Sequence, residues 1–82
     1  MATDKDIRDL CAIVSAELKR AEAKFAPFNS PHEGYAVLLE EVDELWDAVK
    51  MQYGPDRDEQ MRKEAIQVTA MGLRFLLMLR NK

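Results

Sequence analysis

The sequence predicts an all-α chain, a three-helix arrangement of an N-terminal helix plus a helical hairpin that oligomerises into a larger helical bundle. Three observations lead there. Only three Gly and three Pro occur in 82 residues, and 48% of the chain is hydrophobic against 33% charged. That balance excludes disordered, collagen-like and linker-rich chains. Apolar residues recur every three or four positions through most of the length, the spacing of one helix face. Two short breaks, around Pro27 and Gly54-Pro55, divide the chain into three segments. A single domain spanning residues 1–82 follows, and a domain this small leaves much of its surface wet, so its core is expected to be thin and to need a partner.

The first helix is expected to start near Thr3, where Thr3 and Asp6 have capping-box spacing with Asp in place of Glu. Its apolar stripe is Ile7, Leu10, Cys11, Val14, Leu18 and Ala21. Cys11, the only cysteine, reads as a small buried apolar residue. The segment Phe25-Ala26-Pro27-Phe28-Asn29 ends this helix, because Pro27 lacks an amide hydrogen and biases Ala26 away from helical geometry.

The second helix has the clearest start in the chain. Ser30 is the N-cap, Pro31 takes the first helical position and Glu33 stands where it closes a capping box. Its main stripe, Tyr35, Leu38, Leu39, Val42, Leu45, Trp46 and Val49, is expected to pack on the first helix, with Trp46 in the core. Gly54-Pro55 is the stop signal. A third helix then follows Asp56 and runs to about Leu79, with Met61, Ala65, Val68, Met71, Gly72, Phe75 and Leu79 on one face. Ile66, Ala70, Leu73 and Leu77 fall roughly opposite, so the third helix is expected to cover its second face in an interface between copies, as a homodimer or homotetramer.

The formal net charge of −3 gives no general attraction to nucleic acid or to an anionic membrane. The richest apolar stretch, Ala65 to Leu79, is broken by Gln67 and Arg74 and is too short for a membrane span. The first ten residues alternate charge with isolated apolar residues, unlike a signal peptide, and one cysteine excludes an internal disulfide or a cysteine-based zinc cluster. A cytoplasmic protein with no nucleic-acid or membrane partner is the expectation.

The chemistry-bearing feature is the acidic run Glu40-Glu41-Val42-Asp43-Glu44. Glu33, Glu40, Glu44 and Asp47 form a stripe opposite the main apolar one, as a solvated face would. Glu41 differs, because it shares a face with Glu44 at i,i+3 and this pair interrupts a narrow second apolar strip between Val37 and Ala48. Two carboxylates so placed resist ionising together unless a cation or a basic group neutralises them. Magnesium, an oxygen-loving ion that takes a few carboxylates together with phosphate oxygens, is one such cation. The third helix offers Glu64 at the margin of its core stripe, with Gln67 at i,i+3.

These residues resemble the MazG-like branch of the all-α nucleoside triphosphate pyrophosphohydrolases, whose pattern is E-E-x-x-E, a spacer, then E-x-x-D. The match is Glu40-Glu41-Val42-Asp43-Glu44, nineteen intervening residues, then Glu64-Ala65-Ile66-Gln67. The segment Phe28-Asn29-Ser30-Pro31-His32-Glu33-Gly34-Tyr35 also looks like small members of that group. The resemblance implies magnesium-dependent hydrolysis of an NTP or dNTP to the monophosphate and pyrophosphate, with the metal held by Glu41, Glu44, Glu64 and the residue at position 67. Gln67 stands where the family has Asp, which keeps an oxygen ligand but removes one negative charge.

On this reading Glu40 is a candidate base or a group that supports the ligands from behind, or else a solvated acid. Lys24, Lys63 and Arg74 are candidates for the phosphates, with Lys63 and Arg74 placed on the polar side of the third helix beside Gln67, and each also reads as a surface base. Phe28 and Asn29, with Phe25, either pack on the bundle or open a pocket for a base. His32 has no matching His or Cys cluster and takes no metal role. Two other readings stand beside the enzyme: a weakened MazG-like module that binds nucleotide or a protein, and a purely structural helical oligomer.

Overall fold

The structure is a computed structural model and describes residues 1–81. It is all-α: α1 spans Asp4–Lys24, α2 Pro31–Val49 and α3 Pro55–Arg80, with no strand among the described residues. Local signals set the ends. Thr3 accepts a hydrogen bond from the Asp6 amide at 3.1 Å, and the Asp6 carboxylate accepts one from the Thr3 amide at 2.9 Å, so the capping box is complete. Ser30 Oγ accepts from the Glu33 amide at 3.1 Å with Pro31 at the first helical position. The Glu33 carboxylate departs from expectation. It accepts from the Asn29 backbone amide at 3.2 Å and from Asn29 Nδ2 at 3.1 Å, anchoring the loop one residue earlier than a capping box would. α2 ends at Val49, ahead of Gly54-Pro55. Gly54 caps α3 instead, at a φ of 151° that an L side chain rarely adopts, with Pro55 as the first helical residue.

Both α1 and α2 lie on α3 and not on each other, which corrects the expectation that α2 packs on α1. α3 is therefore the central helix. Glu64, Val68, Met71, Phe75 and Met78 share the face toward α2, while Gln67, Ala70 and Arg74 share the one toward α1 and the loop after it. Ala70 is fully buried, and Ile66, Leu73 and Leu77 are half-buried. The second apolar face of α3, expected to lie in an interface between copies, is thus partly covered within the chain, because α1 and α2 each take one face of α3.

The buried face of α2 keeps Leu38, Leu45 and Val49 of the expected stripe, half-buried, but not the rest. Gly34, Val37, Leu38, Glu41, Leu45 and Ala48 turn toward α3, and Gly34 and Ala48 are buried. Tyr35, Leu39, Val42 and Trp46 lie about 100° round the helix and are exposed, Trp46 by 57%. Gly34 explains the choice. A Cβ there would stand 2.8 Å from Phe75 Cδ2 and 3.0 Å from Phe28 Cδ2, so the absent side chain makes the room in which α2 closes on these rings.

The buried apolar cluster of Ala21, Phe28, Ala70, Met71 and Met78, flanked by Val37, Leu38 and Phe75, sits where the ends of all three helices and the Phe25–Asn29 loop meet. Elsewhere the chain is open. Ile7, Leu10 and Cys11 are exposed, against the expectation of a buried Cys11, because α3 covers only the second half of α1. The Cα radius of gyration is 13.9 Å, against about 12 Å for a compact chain of this length. Leu79, placed on the core face by its spacing, is exposed near the end of α3. No helix of the described residues is long and apolar enough to cross a membrane.

Candidate functional site

The narrow second strip of α2 is the face that meets α3, and this brings Glu41 inward while Glu44 stays exposed at its edge. Glu41 is half-buried against α3, Glu44 lies on the flank of the same face, and Glu64 comes up from α3 half-buried between them. One oxygen from each of Glu41, Glu44 and Glu64 lies within 4.8 Å of the others. Charge cannot spread in such a place. Burial first, then the charge of Glu44, a hydrogen bond shared with it, and the charges of Glu64 and Glu40 push the Glu41 carboxyl up to about 7. Glu64 is raised by burial and by the charge and hydrogen bonding of Glu44, with Lys63 opposing.

Glu64 Oε2 is shut off from solvent and has no hydrogen-bond partner among the described residues. A carboxylate with one orphaned buried oxygen, standing beside two more carboxylates, suits a divalent, oxygen-seeking cation, which would supply ligation and cancel the repulsion. The donor set of Glu41, Glu44 and Glu64 is of the kind that the magnesium implied by the family resemblance would take.

Beside the cluster, α1, the Phe25–Asn29 loop, α2 and α3 enclose a cleft of about 520 Å³. Its walls include Lys24, Phe28, Asn29, Glu40, Glu41, Gln67 and Arg74, so seven residues singled out in the sequence line one space. Glu44 and Glu64 open on its other side, onto a shallower hollow shared with Asp47, Met51 and Gln60. Lys63 does not reach the cleft. It lies in the groove between α1 and α3 with Glu17 and Gln67.

Arg74 is not on the polar side of α3 as expected. It is only 6% exposed, with its guanidinium 4.3 Å from the centre of the Phe28 ring. Nη2 donates to the Ala26 carbonyl at 2.8 Å, and Nε has no partner. The aromatic face and the carbonyl stabilise this cation. Among the described residues no carboxylate pairs with it. Phe28 is buried in the cluster, whereas Phe25 is 52% exposed and carries the Lys24 ammonium 5.3 Å from its ring centre. Asn29 is tethered through both its amide nitrogens to Glu33.

Two residues at the site have no signal in the acidic motif: Glu17 and Arg20 of α1. Gln67 Nε2 donates to Glu17 Oε1 at 2.6 Å, and Arg20 donates to both Glu17 oxygens. Burial raises the Glu17 carboxyl, but the hydrogen bonds from Arg20 and Gln67 and the Arg20 charge outweigh it and hold the group below its ordinary range. The available sign was position, since Glu17 is one turn before the buried Ala21 and next to Leu18 on the face of α1 that meets α3. Comparison with known proteins finds no match to any family model, curated protein or solved structure.

Proposed function

We propose that the chain is a magnesium-dependent, MazG-like nucleoside triphosphate pyrophosphohydrolase that converts an NTP or dNTP to the monophosphate and pyrophosphate. The observation that carries this reading is the meeting of Glu41, Glu44 and Glu64, from both halves of the acidic pattern, within 4.8 Å of one another. The raised carboxyls of Glu41 and Glu64 and the unpartnered Glu64 oxygen support a cation there. The cleft alongside is of a size that takes a small organic ligand.

Glu41, Glu44 and Glu64, with Gln67, would hold the ion. When bound, it neutralises charge on the phosphoryl oxygens and orients water. Water adds across the α–β bridge of the triphosphate: a P–O bond forms to the new oxygen, the bridging P–O bond breaks and pyrophosphate leaves. Glu40, at the cleft wall beside Glu41, is the candidate to accept the proton of that water. Lys24 supplies positive charge at the mouth and Arg74 in the wall, while the Phe28–Asn29 segment faces the rest of the nucleotide. The exposed Tyr35, Leu39, Val42 and Trp46 stripe of α2 is the surface that a homodimer or homotetramer would bury.

The test is pyrophosphate release from a panel of NTPs and dNTPs with millimolar-range magnesium. Release that needs magnesium and disappears in Glu41→Gln is the expected result. No release from any substrate by the wild type removes the enzyme reading and leaves a binding or structural module.

A further inference from the structure

Gln67 of α3 donates a side chain hydrogen bond to Glu17 of α1, tying the two helices together. Glu17 is well fixed: its side chain is 15% exposed, and Arg20 grips both of its oxygens at 2.6 to 3.0 Å. An ionised carboxylate only accepts hydrogen bonds, so it draws the NH₂ side of the Gln67 amide toward α1. The carbonyl oxygen of a planar amide lies on the other edge, away from the acceptor. Gln67 sits one turn after Glu64 on α3 and shares the cleft wall with Glu41.

We propose that Glu17 is a positioning residue of the acidic site: by taking the Gln67 amide nitrogen it turns the Gln67 carbonyl oxygen toward Glu41 and Glu64 as a neutral ligand for a divalent cation. This rests on the metal reading above. Partners that hold a ligating group through its other polar atom are a recurrent feature of metal sites. Gln67 and Glu17 then form a matched pair, one neutral and one charged, where the pattern would have a single acid. An Asp placed at position 67 alone meets the Glu17 carboxylate as a like charge, so restoring the acid gains nothing until Glu17 is neutralised as well.

The experiment is calorimetric binding of Mn²⁺, without nucleotide, to the whole chain and to Glu41→Gln, Glu17→Ala, Glu17→Gln, Gln67→Asp and the Glu17→Gln/Gln67→Asp double variant, each checked for helix content. The wild type is expected to bind and Glu41→Gln to lose binding. Glu17→Ala weakens affinity about tenfold, and Glu17→Gln, which keeps an acceptor oxygen for the amide, stays within about threefold. Gln67→Asp binds no tighter than wild type, whereas the double variant does.

Wild-type affinity in Glu17→Ala, with binding still lost in Glu41→Gln, overturns the positioning role and leaves the metal site standing. Equal losses in Glu17→Gln and Glu17→Ala also overturn it, since charge rather than orientation would then matter. If Glu17→Ala does not fold, Gln67→Asp decides: affinity equal to that of the double variant overturns the pair. No binding by the wild type overturns both the site and its positioning residue.

Discussion

Glu64 of α3 stands against Glu41 of α2 with carboxylate oxygens within 4.8 Å, and Glu64 Oε2 has no hydrogen-bond partner among the described residues. Like charges held this close by the packing of two helices make the stability of the chain depend on pH and on cations.

The pH dependence has a definite sign. The Glu41 carboxyl, raised in the folded chain from 4.5 to about 7, favours the folded state most when protonated. Its contribution is complete below 4.5 and is lost as pH rises through about 7. Thermal unfolding in a metal chelator is therefore expected to show a midpoint that falls between pH 5 and pH 8. Glu41→Gln, neutral throughout, flattens that slope, and a midpoint rising over this range would refute the arrangement.

Cation binding should release protons near neutral pH, because Glu41 must ionise to ligate. Calorimetric titration with magnesium at pH 7 in buffers of different ionisation enthalpy is expected to give heats that vary with the buffer. Glu41→Gln and Glu64→Gln are each expected to lower pyrophosphate release by about 100-fold or more while helix content is kept.

Gly34→Ala tests the approach of α2 to α3. Ala is the better helix former by about 1 kcal/mol, but its Cβ meets Phe75 at 2.8 Å and Phe28 at 3.0 Å. Overpacking of that kind costs about 1 to 3 kcal/mol, so net destabilisation of about 1 kcal/mol is expected in urea unfolding. A more stable variant would show that the two rings yield freely.

Arg74 separates packing from charge. Removal of its stem and guanidinium in Arg74→Ala empties space against Phe28 and Met71, with an expected cost of about 2 to 4 kcal/mol. Arg74→Met fills that space without a buried cation and should unfold within about 1 kcal/mol of wild type. If the guanidinium also meets phosphate, Arg74→Met raises KM for the nucleotide several-fold while stability stays within that limit.

Trp46 reports assembly. At 57% exposure in the single chain, it is expected to emit as a water-exposed indole and to be readily quenched by acrylamide in dilute protein. A blue shift and protection that grow with protein concentration would place the α2 stripe in an interface between copies. Unchanged quenching across the range in which light scattering reports a larger particle would place that interface elsewhere.

Much of the secondary structure was legible because its signals are local. The Thr3–Asp6 box, Ser30-Pro31 and the Pro27 break act within one turn, and the helix limits fall within a few residues of those signals. Helical spacing singled out the Glu41–Glu44 pair and placed Glu64 at the margin of its own core stripe, while only the resemblance joined the three as one set. Trp46 and Arg74 were misplaced for a common reason. Each lies on a helix with two candidate faces, and periodicity lists the members of a face without saying which one is covered.

The sequence by itself determined three helices, their caps and a set of acids at helical spacing, all properties of residues within a few positions of one another. Only the tertiary structure decided that α3 is central, that α2 buries its acid-bearing strip and that Glu17 reaches Gln67 from fifty residues away. The physical reason is close approach. Gly34 leaves room for Phe75 and Phe28, that fit selects the buried face of α2, and the same face carries Glu41 into a partly dry space where its charge is costly.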